Sequence, residues 1–138
     1  MTEPTWLPLE LKTNKVNAKP DSIWTLVCEY IKGPMKLKIE ASGTWEYSPT
    51  KECGADGVRQ AGVPTSALNN AAPLGALIAK IGGSPADISA TSFIVGSYVI
   101  LPITDANEGA LFLTMNDQID HFDDHGKELT IVIQQARS

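Results

Sequence analysis

The stretch Asn116-Asp117-Gln118-Ile119-Asp120-His121-Phe122-Asp123-Asp124-His125-Gly126 gathers four carboxylates into eight positions. Aspartates separated by backbone carbonyls, and closed by a glycine that can turn the chain, form a set of hard oxygen donors. Such a set suits a divalent cation like calcium, which takes about six to eight oxygen ligands. The surroundings reinforce this. Seven acidic residues (Asp105, Glu108, Asp117, Asp120, Asp123, Asp124, Glu128) stand against one basic residue, Lys127, so the local field favours something cationic. The competing reading is a solvated acidic turn between two strands. Both histidines, His121 and His125, lie in the same loop at a four-residue spacing that suits zinc on a helix. Gly126 and the turn-rich context argue against a helix there, and neither Cys28 nor Cys53 is near in sequence. Paired carboxylates also serve glycosidases, yet four acids in one short loop fit a metal cage better than an acid/base pair flanking a bond. No nucleophile arrangement or phosphate-binding glycine loop is present, so catalysis is not expected.

The segments on either side must position this loop. Gly109 to Asn116 leads into it and Lys127 to Ile133 leads out, both with strand character, which makes the loop a tethered connection between two adjacent strands. Met35-Lys36-Leu37-Lys38-Ile39-Glu40-Ala41 alternates apolar and charged residues at period two and is the clearest strand. Ile23 to Tyr30 is a β-branched and aromatic run broken by Gly33-Pro34, and Trp6 to Lys12 reads as a first strand that Pro8 places at an edge. A polar connector, 14–21, separates those two. The apolar run Pro73 to Gly82 is expected to be a buried strand, and Ser92 to Ile103 one strand bent at Gly96, or two. Residues 51–72 have no sustained periodicity and read as a long loop that walls a ligand site. About eight short antiparallel strands with Gly/Pro punctuation predict an all-β sandwich of jelly-roll type.

Length and charge bound the rest. At 138 residues the chain reads as a single domain, 1–138, able to bury about two thirds of its unfolded surface. A net charge of −5 argues against nucleic acid and against an anionic membrane surface; a cation or a polar neutral partner fits better. No window approaches the roughly 20 apolar residues of a membrane span. Met1 to Trp6 shows no basic segment followed by an apolar run, so no cleavable signal is expected, leaving the cytoplasm or export by another route. Cys28 and Cys53 are expected to be free thiols.

Four motifs resemble, in order and spacing, those of the PA-IL (LecA-type) family of calcium-dependent, galactose-binding bacterial lectins. They are Gly43 to Thr50 with Cys53-Gly54-Ala55-Asp56-Gly57; Leu74 to Gly82; Gly109-Ala110-Leu111 with Asn116-Asp117; and Asp123-Asp124-His125-Gly126. The resemblance implies a small galactose-binding-domain-like sandwich with one calcium ion at its end, bound directly by two adjacent sugar hydroxyls. The implied ion ligands are the carbonyl of Tyr47, the side chains of Asp117, Asp123 and Asp124, and a loop carbonyl. The loop is one residue shorter than the family's, so that carbonyl belongs to Asp120 or His121, and His121 is taken. The implied sugar contacts are Tyr47, Asp117, His121, Asp123 and Gln60. Where the family has paired asparagines this chain has two aspartates, which strengthens calcium binding and makes the site less neutral toward a sugar.

A second departure concerns specificity. The family places a histidine and a glutamine against the sugar's primary hydroxyl, whereas this chain reads Val58-Arg59-Gln60-Ala61-Gly62-Val63-Pro64, without the histidine. Arg59 and Gln60 either replace it or are solvated loop. The preference for terminal galactosides therefore comes from the resemblance. A homo-oligomer, dimer or tetramer, is expected because multivalency raises weak single-site sugar binding. The alternative is a structural or protein-interaction module that keeps the metal site but not the sugar.

Overall fold

The computed structural model describes residues 5–20, 22–58, 67–86, 91–117, 122 and 125–137. They form a two-sheet antiparallel β-sandwich. The larger sheet holds β1 (Leu7–Pro8), β2 (Lys15–Asn17), β4 (Met35–Ser42), β5 (Trp45–Ser48), β6 (Lys51–Cys53), β9 (Tyr98–Ile103) and β11 (Gly126–Ala136). The smaller holds β3 (Thr25–Lys32), β7 (Leu77–Ile81), β8 (Phe93–Ile94) and β10 (Glu108–Met115), in the order β3-β10-β7-β8. The all-β sandwich read from the sequence is the fold observed. No helix among the described residues is long and apolar enough to cross a membrane.

Strand β11 is the spine of the large sheet. Along one side it pairs with β4, Ala136 opposite Lys36 through Thr130 opposite Ser42. After the Gly43-Thr44 break β5 resumes in the same register, Lys127 opposite Trp45 and Gly126 opposite Glu46. The other side carries β2 and β1. Alternation explains which residues turn inward. Met35, Leu37 and Ile39 of β4 and Leu129, Ile131 and Ile133 of β11 are buried, and they meet Val27, Ile31, Leu111, Leu113 and Met115 from the small sheet. Each fully buried Leu or Ile contributes about 1.5–3 kcal/mol, which is why the period-two pattern dictates the fold.

The run over 73–82 reads as continuously apolar because β7 is covered on both faces. Its inner residues Leu77 and Ala79 join the main core, while Ile78 packs outside with Trp24, Ala72, Ala76 and Phe112. Lys80, buried in the same strand, donates to the Ser84 carbonyl, and its ammonium lies 5.2 Å from the Trp24 ring centre and 5.0 Å from that of Phe112.

Several sequence expectations are corrected. The loop expected over 51–72 begins as a hairpin, β5 and β6, turned at Pro49-Thr50 with Thr50 at φ 64°. The first strand shrinks to β1, and the connector over 14–21 contains β2, three residues whose backbone adds to β11. Of the two readings of Ser92 to Ile103, two strands is the one observed, and they lie in different sheets. Gly96, at φ 68°, makes that crossing, and a Cβ there would meet Asp56 Oδ1 at 2.6 Å. The acidic loop does not join neighbours within a sheet, because β10 and β11 lie in opposite sheets. Cys28 and Cys53 are free thiols, as expected.

Trp45 ties the β5 hairpin to the segment before β7, burying its whole side chain and donating from Nε1 to the Gly75 carbonyl at 2.9 Å. Trp45→Phe leaves that carbonyl with only the weak Cys53 thiol donor at 3.7 Å, beside a small void, so we expect a loss of about 2 kcal/mol. Urea unfolding checks it; a midpoint equal to wild type contradicts the assignment.

Candidate functional site

The acidic loop leaves β10 at Asn116 and Asp117, both buried although polar. Buried polar groups need partners, and Asn116 has a full set. Its side-chain amide donates to the carbonyls of Asn69 at 3.0 Å, Ala72 at 2.8 Å and Pro73 at 3.3 Å, and its Oδ1 accepts from the Asn69 N–H at 2.9 Å. Its backbone continues the tie, donating to the Ala76 carbonyl and accepting from the Gly75 N–H, each at 2.8 Å. Asn116 thus clamps residues 69–76 against the end of β10. Leu68 adds one more bond, from its N–H to the Asp117 carbonyl at 3.2 Å.

Asp117 reaches across the sandwich. Its Oδ2 lies 2.9 Å from His125 Nε2, and His125 Nδ1 lies 2.8 Å from the Ala18 carbonyl. A carbonyl only accepts, so Nδ1 carries a hydrogen. The second contact needs a proton as well. The pair is therefore an imidazolium facing a carboxylate, or a neutral ring facing a protonated carboxyl. Both side chains are shielded, with 0% and 4% exposure, and the Phe122 ring tilts over the imidazole at 4.5 Å between centres. Ala18 follows β2 and donates to the Lys127 carbonyl at 2.9 Å. Asp117, at the end of one sheet, is thereby fixed to both strands that flank the loop's return in the other.

Tyr47 arrives at the same place through strand register. Glu46 faces Gly126, the residue after His125, and Tyr47 comes next along β5. On its other side, pairing with β6 shifts between Glu46 and Ser48, which leaves Tyr47 as the extra residue of a bulge. A bulged residue interrupts the ladder locally, so the backbone at Tyr47 departs from regular pairing with β6. The Tyr47 side chain packs against the core and anchors it. At the rim Lys127 donates to Glu52, which also accepts from Thr44 at 3.1 Å. These two bonds, that from Lys127 foremost, hold the Glu52 carboxyl below its usual range, and Glu52 in turn holds the Lys127 ammonium above its own.

Of the residues singled out in the sequence, Tyr47 and Asp117 are brought to one end of the sandwich. His121, Asp123, Asp124 and Gln60 lie outside the described residues, as do Arg59 and Asp120. Among the described residues no group of three or more His, Cys, Asp or Glu is placed to hold a metal. The sequence weighed His125 as half of a zinc spacing with His121 and as part of the last motif, and the structure gives it to Asp117. Asn116 was legible as part of a motif but not as a clamp. A polar residue directly after the run Leu111 to Met115 is the signal that could have pointed to it.

Of the donors the resemblance implies, the two described here are an aspartate oxygen and a backbone carbonyl at a bulge, both hard oxygen donors of the kind calcium takes. Burial excludes water, and the histidine bond fixes the carboxylate's orientation in the way outer partners orient metal ligands.

Asn116→Ala removes the group that satisfies three carbonyls and one N–H. We expect a loss of about 3 kcal/mol in chemical denaturation, most of it from buried groups left unpaired. A loss below about 1 kcal/mol would show that the clamp is dispensable.

Comparison with known proteins gives one kind of similarity. No family model and no curated protein matches the chain by sequence. Among solved structures it is similar to the N-terminal domain of EclA, a PllA-like lectin, at 20% identity. The alignment covers 90% of this chain and 93% of that domain with a TM-score of 0.61, so the two share the lectin-type sandwich fold.

Proposed function

We propose that this chain is a non-catalytic, calcium-dependent carbohydrate-binding protein, with terminal galactosides as its ligands. The observation that carries the reading is the convergence at one end of the sandwich. The buried, histidine-oriented Asp117 lies where the chain's most acidic stretch leaves β10, and the bulged Tyr47 follows Glu46, which pairs with Gly126 next to that histidine. The shared fold with a lectin domain supports it. In this reading Tyr47 offers its carbonyl and Asp117 its carboxylate, and Asp123, Asp124 and the carbonyl of His121 complete the set. Calcium, when bound, supplies the attraction for two adjacent sugar hydroxyls. The protein's carboxylates accept hydrogen bonds from the same hydroxyls, and such charge-assisted bonds are about twice as strong as neutral ones. That geometry selects for the stereochemistry of a vicinal diol. Gln60 is the candidate for a contact beyond the ion.

Titration calorimetry with galactose and a monosaccharide panel, with and without chelator, tests this. Galactose is expected to bind in calcium, to lose binding on chelation, and to regain it when calcium is restored. Asp117→Asn is expected to weaken binding at least about tenfold, the effect of losing one charged contact. Sugar binding that survives complete calcium removal overturns the mechanism. Calcium binding with no sugar binding across the panel favours the protein-interaction module, which the absent histidine before Gln60 motivates.

A further inference from the structure

Ala18, whose carbonyl accepts from His125, sits between two exposed residues, Asn17 and Lys19, that line a cleft of about 380 Å³. That volume falls within the range of small-molecule pockets, about 300–1,000 Å³. Pro20 and Leu26 give the cleft apolar surface, and the Trp24 N–H donates to the Pro85 carbonyl at 2.9 Å, which ties Pro85 to the residue before β3.

The polar groups of the cleft lean toward donation. Asn17 Oδ1 already accepts from the Lys19 N–H at 2.9 Å, which leaves the carboxamide its two N–H donors. That amide nitrogen, the Lys19 ammonium and the Ser22 hydroxyl make no hydrogen bond or ion pair among the described residues. Thr25 lines the same cleft, and its buried hydroxyl also lacks a protein partner. None of the described residues that line the cleft is acidic, Asp21 lying outside them, although the chain carries a net charge of −5. Unpartnered donors around one cation suit an anion rich in acceptor oxygens.

We propose that this cleft is a second subsite of the carbohydrate site. An oligosaccharide that places its terminal galactoside on the calcium ion sets here the anionic substituent of a following residue, a carboxylate or a sulfate ester. The inference rests on the calcium-dependent reading given above. A short path links the two places, from Asp117 to His125 and from His125 to Ala18, which Asn17 and Lys19 flank. Charge orients the ligand. Three aspartates around one divalent ion leave a net negative charge, which disfavours an anionic group beside the ion, whereas the Lys19 ammonium attracts it. Asn17 and Ser22 donate to its oxygens, and the carbon–hydrogen face of the sugar ring meets Pro20 and Leu26.

Titration calorimetry in calcium with three galactosides tests this: galactosyl-glucose, galactosyl-glucuronate, and galactosyl-glucose carrying a 6-sulfate on the glucose. At least one acidic compound is expected to bind about fivefold tighter than the neutral one, the upper end of what one exposed charged contact contributes. Comparing the two acidic arms tells carboxylate from sulfate. Lys19→Gln is expected to bring the acidic compounds down to the affinity of the neutral one, and Lys19→Arg, which keeps the charge, to retain the gain. Because Lys19 is exposed, the gain is expected to shrink toward nothing in about 0.5 M salt. Acidic compounds that bind no tighter than the neutral one, or a gain that survives Lys19→Gln, overturn the subsite and leave the calcium reading standing. No binding by any of the three in calcium overturns the calcium reading, and the subsite falls with it.

Discussion

The bond between Asp117 and His125 closes the end of the sandwich. It joins the last residue placed by β10 to the first residue before β11, and through Ala18 it takes in β2 as well. Core packing brings the two sheets together, but packing between sheets does not specify where a loop leaving one of them points. A buried polar bond does, because any displacement leaves partnered groups stranded in an apolar setting, and that costs more than the bond contributes when made. Asn116 imposes the same condition on the neighbouring segment through four side-chain bonds. Together they make the loop's two roots rigid.

Buried charge is a weak source of stability. Taking a carboxylate and an imidazole out of water offsets much of their attraction, and well-packed apolar residues often serve a fold as well. The arrangement is better understood as orientation. A carboxylate held through one oxygen presents its other oxygen in a fixed direction, which is what the calcium site proposed above would use. The bulge at Tyr47 interrupts regular pairing with β6 one residue beyond the Glu46–Gly126 pair. Farther from the site, burial pushes the Cys53 thiol up to about 11, so the thiol beneath this end of the hairpin stays protonated and inert near neutral pH.

The sequence revealed what side chains decide. Strand β4 was legible because its lysines and Glu40 alternate with residues that cannot face water. The strand around Ile78 was legible because both of its faces are covered. Strand β2 was hidden because it joins β11 through backbone, in a polar stretch where side chains carry little pattern. The β5 hairpin was hidden because its turn is Pro49-Thr50, with Thr50 in a left-handed conformation that composition assigns to glycine or asparagine. The crossing at Gly96 was marked as a bend, but nothing local says whether a bent strand stays in its sheet. At the site, residue types and spacing pointed to Tyr47 and Asp117. The partnership with His125 depends on β10 and β11 lying in opposite sheets, which is a property of the whole topology.

The central claim is that these fixed oxygens hold a calcium ion which itself binds the sugar. A crystal structure grown with calcium and a galactoside, with the ion located by its anomalous signal, tests it most directly. The account predicts an anomalous peak about 2.3–2.6 Å from an Asp117 carboxylate oxygen and from the Tyr47 carbonyl, with two adjacent sugar hydroxyls on the same ion. A sugar bound with no ion beside it, or an ion seated away from Asp117, would contradict it.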